Sequence, residues 1–164
     1  MLEELKKFLA ESNKAGYGAG ESVERKWIKE SDGSTTIAYV SVDGAWRFHD
    51  NFFGGEPYGG REVIFKNDQA VWLMVYYGEI TDRELDKKEV YDFLRAALMK
   101  APDDLPVRGP AEFKKEEGGK VWEYQNKWAG DLNRFKGREI ILLDGREIFN
   151  TDYSGGWVDV PKEA

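Results

Sequence analysis

The sequence predicts an α+β fold in which an internally duplicated unit places two helices on one curved antiparallel sheet. Three observations lead to this class. GREVIF at residues 60–65 is nearly repeated as GREIIL at 137–142. Each half opens with apolar residues at helical spacing, and each continues with apolar runs separated by turn dipeptides. We therefore predict a single domain over residues 1–164, made of two repeats at about 1–80 and 81–164.

The repeat extends well beyond six residues. With an offset of 77 positions, residues 60–80 align with 137–157 without a gap. The identical pairs are Gly60/Gly137, Arg61/Arg138, Glu62/Glu139, Ile64/Ile141, Tyr76/Tyr153 and Gly78/Gly155. Upstream, an offset of 75 aligns Asn51 with Asn126. Repeats of this kind indicate duplication of a supersecondary unit.

Each repeat is predicted to begin with a helix. The apolar residues at helical spacing are Leu2, Leu5, Phe8 and Leu9 in the first copy, and Val90, Phe93, Leu94, Ala97 and Leu98 in the second. Thr81 or Asp82 is the expected cap of the second helix, and Pro102 is expected to end it.

About four antiparallel strands should follow each helix. Turn dipeptides that favour tight hairpins separate the β-rich runs, at Asp43-Gly44, Asn67-Asp68, Gly118-Gly119 and Asp144-Gly145. VERKWI at 23–28 and EFKKEE at 112–117 are the predicted first strands of the two copies. The simplest assembly is an eight-stranded sheet with a pseudo-twofold axis between the copies.

Composition excludes several classes of function. The chain carries a net charge of −7 without a basic stripe, which argues against nucleic-acid binding. It has no cysteine, so disulfides and thiolate chemistry are excluded, and no apolar run is long enough for a membrane span. The charged start, MLEELKKFLAES, does not resemble a signal peptide. We predict a cytoplasmic protein without a metal or cofactor.

Glu62 and Glu139 are the most informative charged residues, because the repeat places them at equivalent points. A two-residue loop at Asn67-Asp68 would put Glu62 on an apolar face shared with Ile64, Val71, Leu73 and Val75. A carboxylate there either pairs with a cation or has a raised pKa suited to acid–base catalysis. The alternative is that both glutamates maintain the fold.

Two glycine-rich stretches and one linker are further candidates. FFGGEPYGG at 52–60 could let a ligand approach the backbone, or could form a wide turn at the sheet edge. GYGAGES at 16–22 resembles a phosphate loop but follows a helix, which favours a helix C-cap. In DDLPVRGP at 103–110, Arg108 could bind an anion or form an ion pair with Asp103 or Asp104.

His49 is the only histidine, so any histidine-dependent triad or metal site would have to include it. The alternation in AWRFHDNFF places it on the same face as Arg47 and Asn51, most simply the solvent side. A hydrolase or isomerase that uses Glu62 with His49 or Tyr76 is our third interpretation of the function.

The aromatic content of 14% exceeds what a minimal core needs. Our first interpretation is a non-catalytic domain that binds a small apolar or aromatic molecule, or a peptide, on the concave sheet between the copies. The predicted lining is Trp72, Tyr76, Phe149 and Tyr153, with Glu62 as the polar group. The second interpretation is an interaction module that self-associates, for example as a homodimer.

The stretches FFGGEPYGGREVIF, VWLMVYYG, PVRGP and FKGREIILLDGREIFNTDYSGG resemble an uncharacterised prokaryotic domain family, found alone and behind XRE-type helix-turn-helix regulators. The resemblance covers nearly the whole chain and implies a sensor or dimerisation role. It assigns no catalytic or binding residue.

Overall fold

The computed structural model describes residues 1–17, 26–103 and 106–159. These residues form two helices and nine strands. The elements are α1 Leu2–Tyr17, β1 Lys26–Lys29, β2 Thr35–Val40, β3 Trp46–Phe53, β4 Tyr58–Lys66, β5 Gln69–Ile80, α2 Lys87–Leu98, β6 Glu112–Glu117, β7 Lys120–Asp131, β8 Arg134–Leu143 and β9 Arg146–Trp157.

The nine strands of the described residues form one antiparallel sheet in the order β1-β2-β3-β4-β5-β9-β8-β7-β6. The predicted α+β class is therefore wrong, since the chain is mostly β with two short helices. The predicted duplicated unit of one helix and about four strands is wrong as well, because five strands precede α2 and four follow it. Strands β5 and β9 also continue through glycines and polar residues, because antiparallel pairing satisfies their backbone groups.

Each helix covers one half of the same sheet face. Phe8 of α1 stacks on Trp46 of β3, with ring centroids 5.6 Å apart, and Phe93 of α2 lies 5.4 Å from Trp122 of β7. Burying an aromatic or aliphatic side chain of this size contributes about 1.5–3 kcal/mol to folding. In the part of the chain that the structure describes, no helix has the length and apolarity needed to cross a membrane.

Hairpins β4–β5 and β8–β9 pair in the same way. Ile64 lies opposite Trp72, Ile141 lies opposite Phe149, and each hairpin contains a β-bulge directly after its isoleucine. At the centre of the sheet, Tyr76 of β5 lies opposite Tyr153 of β9. The two tyrosines that the sequence aligned therefore face each other across neighbouring strands.

The pairing of β3 and β7 corrects the alignment upstream of these hairpins. Asp50 lies opposite Glu62, and Asn126 lies opposite Glu139. The residue that matches Asn126 is therefore Asp50 and not Asn51, which corresponds to an offset of 76. Register is set by which side chains face the core, and a one-residue shift reverses the face of every residue in a strand.

The start of α2 also differs from the prediction. Asp86 is the N-cap, and its Oδ1 accepts a hydrogen bond of 2.8 Å from the backbone N–H of Lys88. Thr81 instead continues the pairing of β5, since its N–H donates to the carbonyl of Ile148. Asp82 forms an ion pair with Arg146. The helix therefore begins later because the strand before it runs longer.

Two expectations concern the segment between α1 and β1. GYGAGES at 16–22 lies largely outside the described residues, as do residues 23–25 of the predicted strand VERKWI. Residues 26–28 of that strand belong to β1, a short edge strand.

Candidate functional site

A cleft of about 340 Å³ lies between α2 and strands β1–β5, on the helix-covered face of the sheet. Its size falls within the range of about 300–1,000 Å³ that is usual for ligand sites. Two larger grooves, of about 560 and 580 Å³, contain no buried carboxylate. The cleft is lined by Trp27, Ile37, Asp50, Phe52, Gly54, Gly55, Tyr58, Glu62, Tyr76, Tyr91, Leu94, Arg95, Leu98 and Arg108.

Two carboxylates lie at the floor of the cleft. Asp50 and Glu62 are cross-strand partners on β3 and β4, and Glu62 is only 4% exposed. The Tyr76 hydroxyl donates to Asp50 Oδ1 at 2.5 Å. Because burial disfavours an unpaired carboxylate, groups at such a position are held by hydrogen-bond donors or cations. The floor of the cleft therefore consists of two carboxylates and the Tyr76 hydroxyl.

Glu62 lies on the apolar face, but its neighbours differ from the predicted ones. The Asn67-Asp68 loop has two residues, as expected, and both have positive φ. The bulge after Ile64 adds one residue to β5, so that Ile64 faces Trp72 instead of Val71. The residues that share the face of Glu62 are Ile64, Trp72, Met74 and Tyr76.

Three tyrosines form one wall of the cleft. The ring of Tyr58 lies 5.9 Å from that of Tyr76 and 6.0 Å from that of Tyr91. Glu56 accepts hydrogen bonds from the Tyr91 hydroxyl and, at 2.7 Å, from the backbone N–H of Ile80. Burial, together with the hydrogen bond to Glu56, raises the pKa of the Tyr91 hydroxyl far above its usual range. The FFGGEPYGG stretch therefore comprises the end of β3, a loop at 54–57 and the start of β4, and Glu56 anchors the loop to α2.

The equivalent position in the second half of the sheet is filled by the chain itself. Arg108, which is buried, forms an ion pair with Glu139, which is fully buried. The Tyr124 hydroxyl donates to Glu139 at 2.6 Å and accepts from the Gly109 N–H at 3.1 Å. Asn126 Nδ2 donates to the Gly109 carbonyl at 3.0 Å. Arg108 thus pairs with a glutamate that is distant in the sequence, which no local pattern indicated.

A tyrosine completes the arrangement in each half. The Tyr153 hydroxyl donates to Asn126 at 2.7 Å, just as the Tyr76 hydroxyl donates to Asp50. Burial is the main cause that raises the pKa of Tyr153 to about 12. The pKa of Tyr124 is raised well above its usual value, first by burial and then by the charge of Glu139.

The glycine of the repeated Gly-Arg-Glu has a steric explanation. A Cβ atom on Gly60 would lie 2.7 Å from the Tyr76 hydroxyl, and one on Gly137 would lie 2.3 Å from the Tyr153 hydroxyl. Only glycine leaves room for the tyrosine that crosses from the neighbouring strand. The ion pair of Glu139 supports the interpretation that this glutamate maintains the fold.

The structure brings together only some of the predicted binding residues. Glu62 and Tyr76 line the cleft. Trp72 and Phe149 are fully buried in two separate core clusters, and Tyr153 is 5% exposed. Sequence reasoning did not separate core aromatics from cleft aromatics, because both kinds alternate along the same strands. It missed Asp50, whose position opposite Glu62 depends on the register of β3.

His49 does not lie near Glu62. It occupies the opposite face of the sheet, where its ring is 5.1 Å from that of Phe65. Burial, and then the neighbouring Arg47, lowers the pKa of His49. This geometry argues against an acid–base pair of Glu62 and His49, whereas Tyr76 shares the cleft with Glu62.

Within residues 1–17, 26–103 and 106–159, no group of three or more acidic or histidine side chains is arranged to hold a metal ion. Neither the curated proteins nor the solved structures include one that matches this chain. The model of one family, the domain of unknown function DUF5680, matches residues 50–158, which hold β4–β9, α2 and most of the cleft floor. The chain therefore belongs to the DUF5680 family.

Proposed function

We propose that this domain binds a small molecule or a short peptide, without catalysis, in the cleft between α2 and β1–β5. One observation carries the proposal: the cleft brings the exposed ring of Trp27 and the rings of Phe52 and Tyr58 together with the polar groups of Asp50, Glu62 and Tyr76, and Arg108 lines it as well. A site of this shape takes a group that supplies both apolar surface and hydrogen-bond donors.

The lining indicates the class of ligand. Trp27, Phe52 and Tyr58 offer ring faces and edges, which favour a small apolar or aromatic group by stacking. The carboxylates of Asp50 and Glu62 favour a hydrogen-bond donor on the same ligand. A planar molecule with an amine, amide or hydroxyl group satisfies both requirements.

The proposed setting is a cytoplasmic domain with a sensory role. The resemblance to prokaryotic domains that follow XRE-type helix-turn-helix regulators supports such a role, because a sensor of this kind needs a ligand site and no catalysis. The absence of cysteine fits a reducing compartment.

Native mass spectrometry, run beside a thermal-shift screen of common metabolites and short aromatic peptides, tests the proposal. A ligand that binds only the folded state raises stability by RT ln(1 + [L]/Kd), or about 2.7 kcal/mol at a ligand concentration of 100 Kd. We expect Trp27→Ala to abolish the shift, because Trp27 lines the cleft and is 66% exposed. Val40→Ala is the control, since Val40 is 51% exposed on the other face of the sheet and outside the cleft.

Two results would contradict the proposal. One is an apo mass together with no shift across the screen. The other is a shift that Trp27→Ala and Val40→Ala leave equally unchanged, which would place binding outside the cleft.

A further inference from the structure

The sheet face that the helices do not cover is apolar over β3–β5. Phe53, Val75 and Tyr77 point outward from this face and are 51%, 46% and 57% exposed. Leu73 lies beside them and is half-buried. We call these four residues the outer patch. Exposed apolar surface that is contiguous in this way marks interaction sites more often than surface without function.

The second half of the sheet shows that the fold does not require this patch. With the offset of 77, the residues that match Leu73, Val75 and Tyr77 are Asn150, Asp152 and Ser154. Both sets lie on the same face of paired strands, and the polar set faces water. The apolar side chains of the outer patch are therefore not needed for folding, and a binding role accounts for them.

A groove of about 580 Å³ runs beside the outer patch. Leu73 and Val75 form one wall, and Arg134 and Lys136 of β8 form the other. The floor is β9, which has the small residues Ser154 and Gly155 there. Because the floor side chains are small and the wall side chains are long, an elongated segment can lie between the two walls.

Positive charges predominate around the groove. Arg134 and Lys136, and also Arg61 beside the outer patch, are exposed and form no ion pair within the described part of the chain. By contrast, Arg138 on the same face is paired with Asp152 at 2.9 Å and with Glu147 at 3.3 Å. The acidic neighbours are Asp131, which lies opposite Arg134, and Asp152, which is paired with Arg138. On a chain of net charge −7, the cations of this region therefore outnumber its carboxylates and form a local positive site.

We propose that the outer patch and its groove bind an acidic amphipathic segment of a partner protein. The apolar side of the segment covers Leu73, Val75 and Tyr77, and its carboxylates pair with Arg61, Arg134 and Lys136. A second copy fits less well, because two patches in contact would bring the two Arg61 side chains together. An anionic membrane also fits less well, because polybasic lipid sites use about 4–8 cations and the rest of this chain is acidic.

The site is tested with a labelled amphipathic helical peptide whose leucine stripe is flanked by glutamate, by fluorescence anisotropy against the full chain. The same peptide with lysine in place of glutamate is the control. We expect saturable binding of the acidic peptide only. The double variant Val75→Asp/Tyr77→Ser should bind about tenfold more weakly, because aromatic and apolar anchors contribute most of the energy at such surfaces.

This variant should fold, because it introduces residue types that β9 already carries at the matching positions. The new carboxylate would lie opposite Arg61, as Asp152 lies opposite Arg138. A charge reversal, Arg134→Glu, should also weaken binding. Lys87→Glu, on an exposed residue of α2 on the other side of the sheet, makes the same charge change and should leave binding as it was.

Three results would overturn the proposal. The first is equal binding of the acidic and basic peptides, or binding that the groove variants leave unchanged. The second is a concentration-dependent dimer in sedimentation that Val75→Asp/Tyr77→Ser abolishes, since the occupant would then be a second copy. The third is binding to vesicles rich in phosphatidylserine without binding to the peptide.

Discussion

The two halves of the sheet place a glutamate at the same point and surround it differently. Glu139 is fully buried under the chain's own Arg108 and also accepts a hydrogen bond from Tyr124. Glu62 is buried to a similar degree but lines a cleft. The residue that matches Tyr124 is Phe48, which has no hydroxyl to donate. The same strand pairing therefore supports a closed hydrogen-bond network around Glu139 in one half and a cleft beside Glu62 in the other.

This difference has a physical cause in the linker. The short segment 106–109 is buried, and its Gly109 fits against Tyr124 with no room for a side chain, since a Cβ there would lie 2.7 Å from the hydroxyl. Arg108 then pairs with the buried carboxylate of Glu139 and also lines the cleft. The position of Glu139, which is equivalent to that of Glu62, thus shows how residues of the chain itself can close such a site.

The largest effect is expected from Arg108→Ala. Removing one partner of a buried ion pair costs about 3–5 kcal/mol, because the other charge stays buried without its partner. Urea denaturation should show this loss in the free energy of unfolding. Arg95→Ala is the control, since Arg95 is half exposed and pairs with Asp92 at the surface, where such pairs contribute about 0–1 kcal/mol. Equal losses of unfolding free energy in the two variants would mean that the buried ion pair of Arg108 and Glu139 contributes no more than a surface pair.

Alkaline pH should destabilise the protein in part through Tyr153. The pKa of a free tyrosine is about 10 and that of Tyr153 is raised to about 12, so between these values the unfolded chain releases a proton that the folded chain keeps. Stability that is complete below pH 10 is therefore lost as the pH rises toward 12. Denaturation curves should show a shallower loss in Tyr153→Phe. An identical slope in this variant would contradict the burial of its hydroxyl.

Tyr124→Phe should cost about 1–3 kcal/mol, because it leaves the Gly109 N–H without its acceptor and removes one donor from the buried Glu139. The variant copies Phe48, the matching residue of the first half. Tyr77→Phe, at an exposed position, should change the unfolding free energy by less than about 0.5 kcal/mol. A loss for Tyr124→Phe no greater than that control would mean that the network contributes nothing.

The smallest expected effect is the difference in stability between variants of the two tyrosines at the centre of the sheet. Tyr153→Phe should lose about 1 kcal/mol with its hydrogen bond to Asn126. Tyr76→Phe should lose less, since water in the cleft can hydrogen-bond to Asp50 in its place. Thermal unfolding of both variants measures the difference. A larger loss for Tyr76→Phe would mean that water does not reach Asp50.

Several features of the fold could be predicted from the sequence. Asp-Gly, Asn-Asp and Gly-Gly marked hairpin turns because those positions need positive φ, and the structure has it at Asn67, Asp144 and Gly118. Apolar spacing marked both helices and the faces that they bury. The repeat indicated that Tyr76 and Tyr153 are equivalent, and glycines 60 and 137 are needed to make room for them.

Only the tertiary structure decided the fold class, the strand register and the long-range contacts. The class changed from α+β to mostly β because strands lengthen when a neighbour satisfies their backbone groups, and a single chain segment does not reveal its neighbours. The bulge after Ile64 decided that Trp72 points to the core face of the sheet. The register of β3 against β4, and of β7 against β8, decided that Asp50 matches Asn126. The sequence by itself determined which residues prefer burial, turns or helix. The long-range pairing of Arg108 with Glu139, and the cleft beside Glu62, arise only when distant segments pack together.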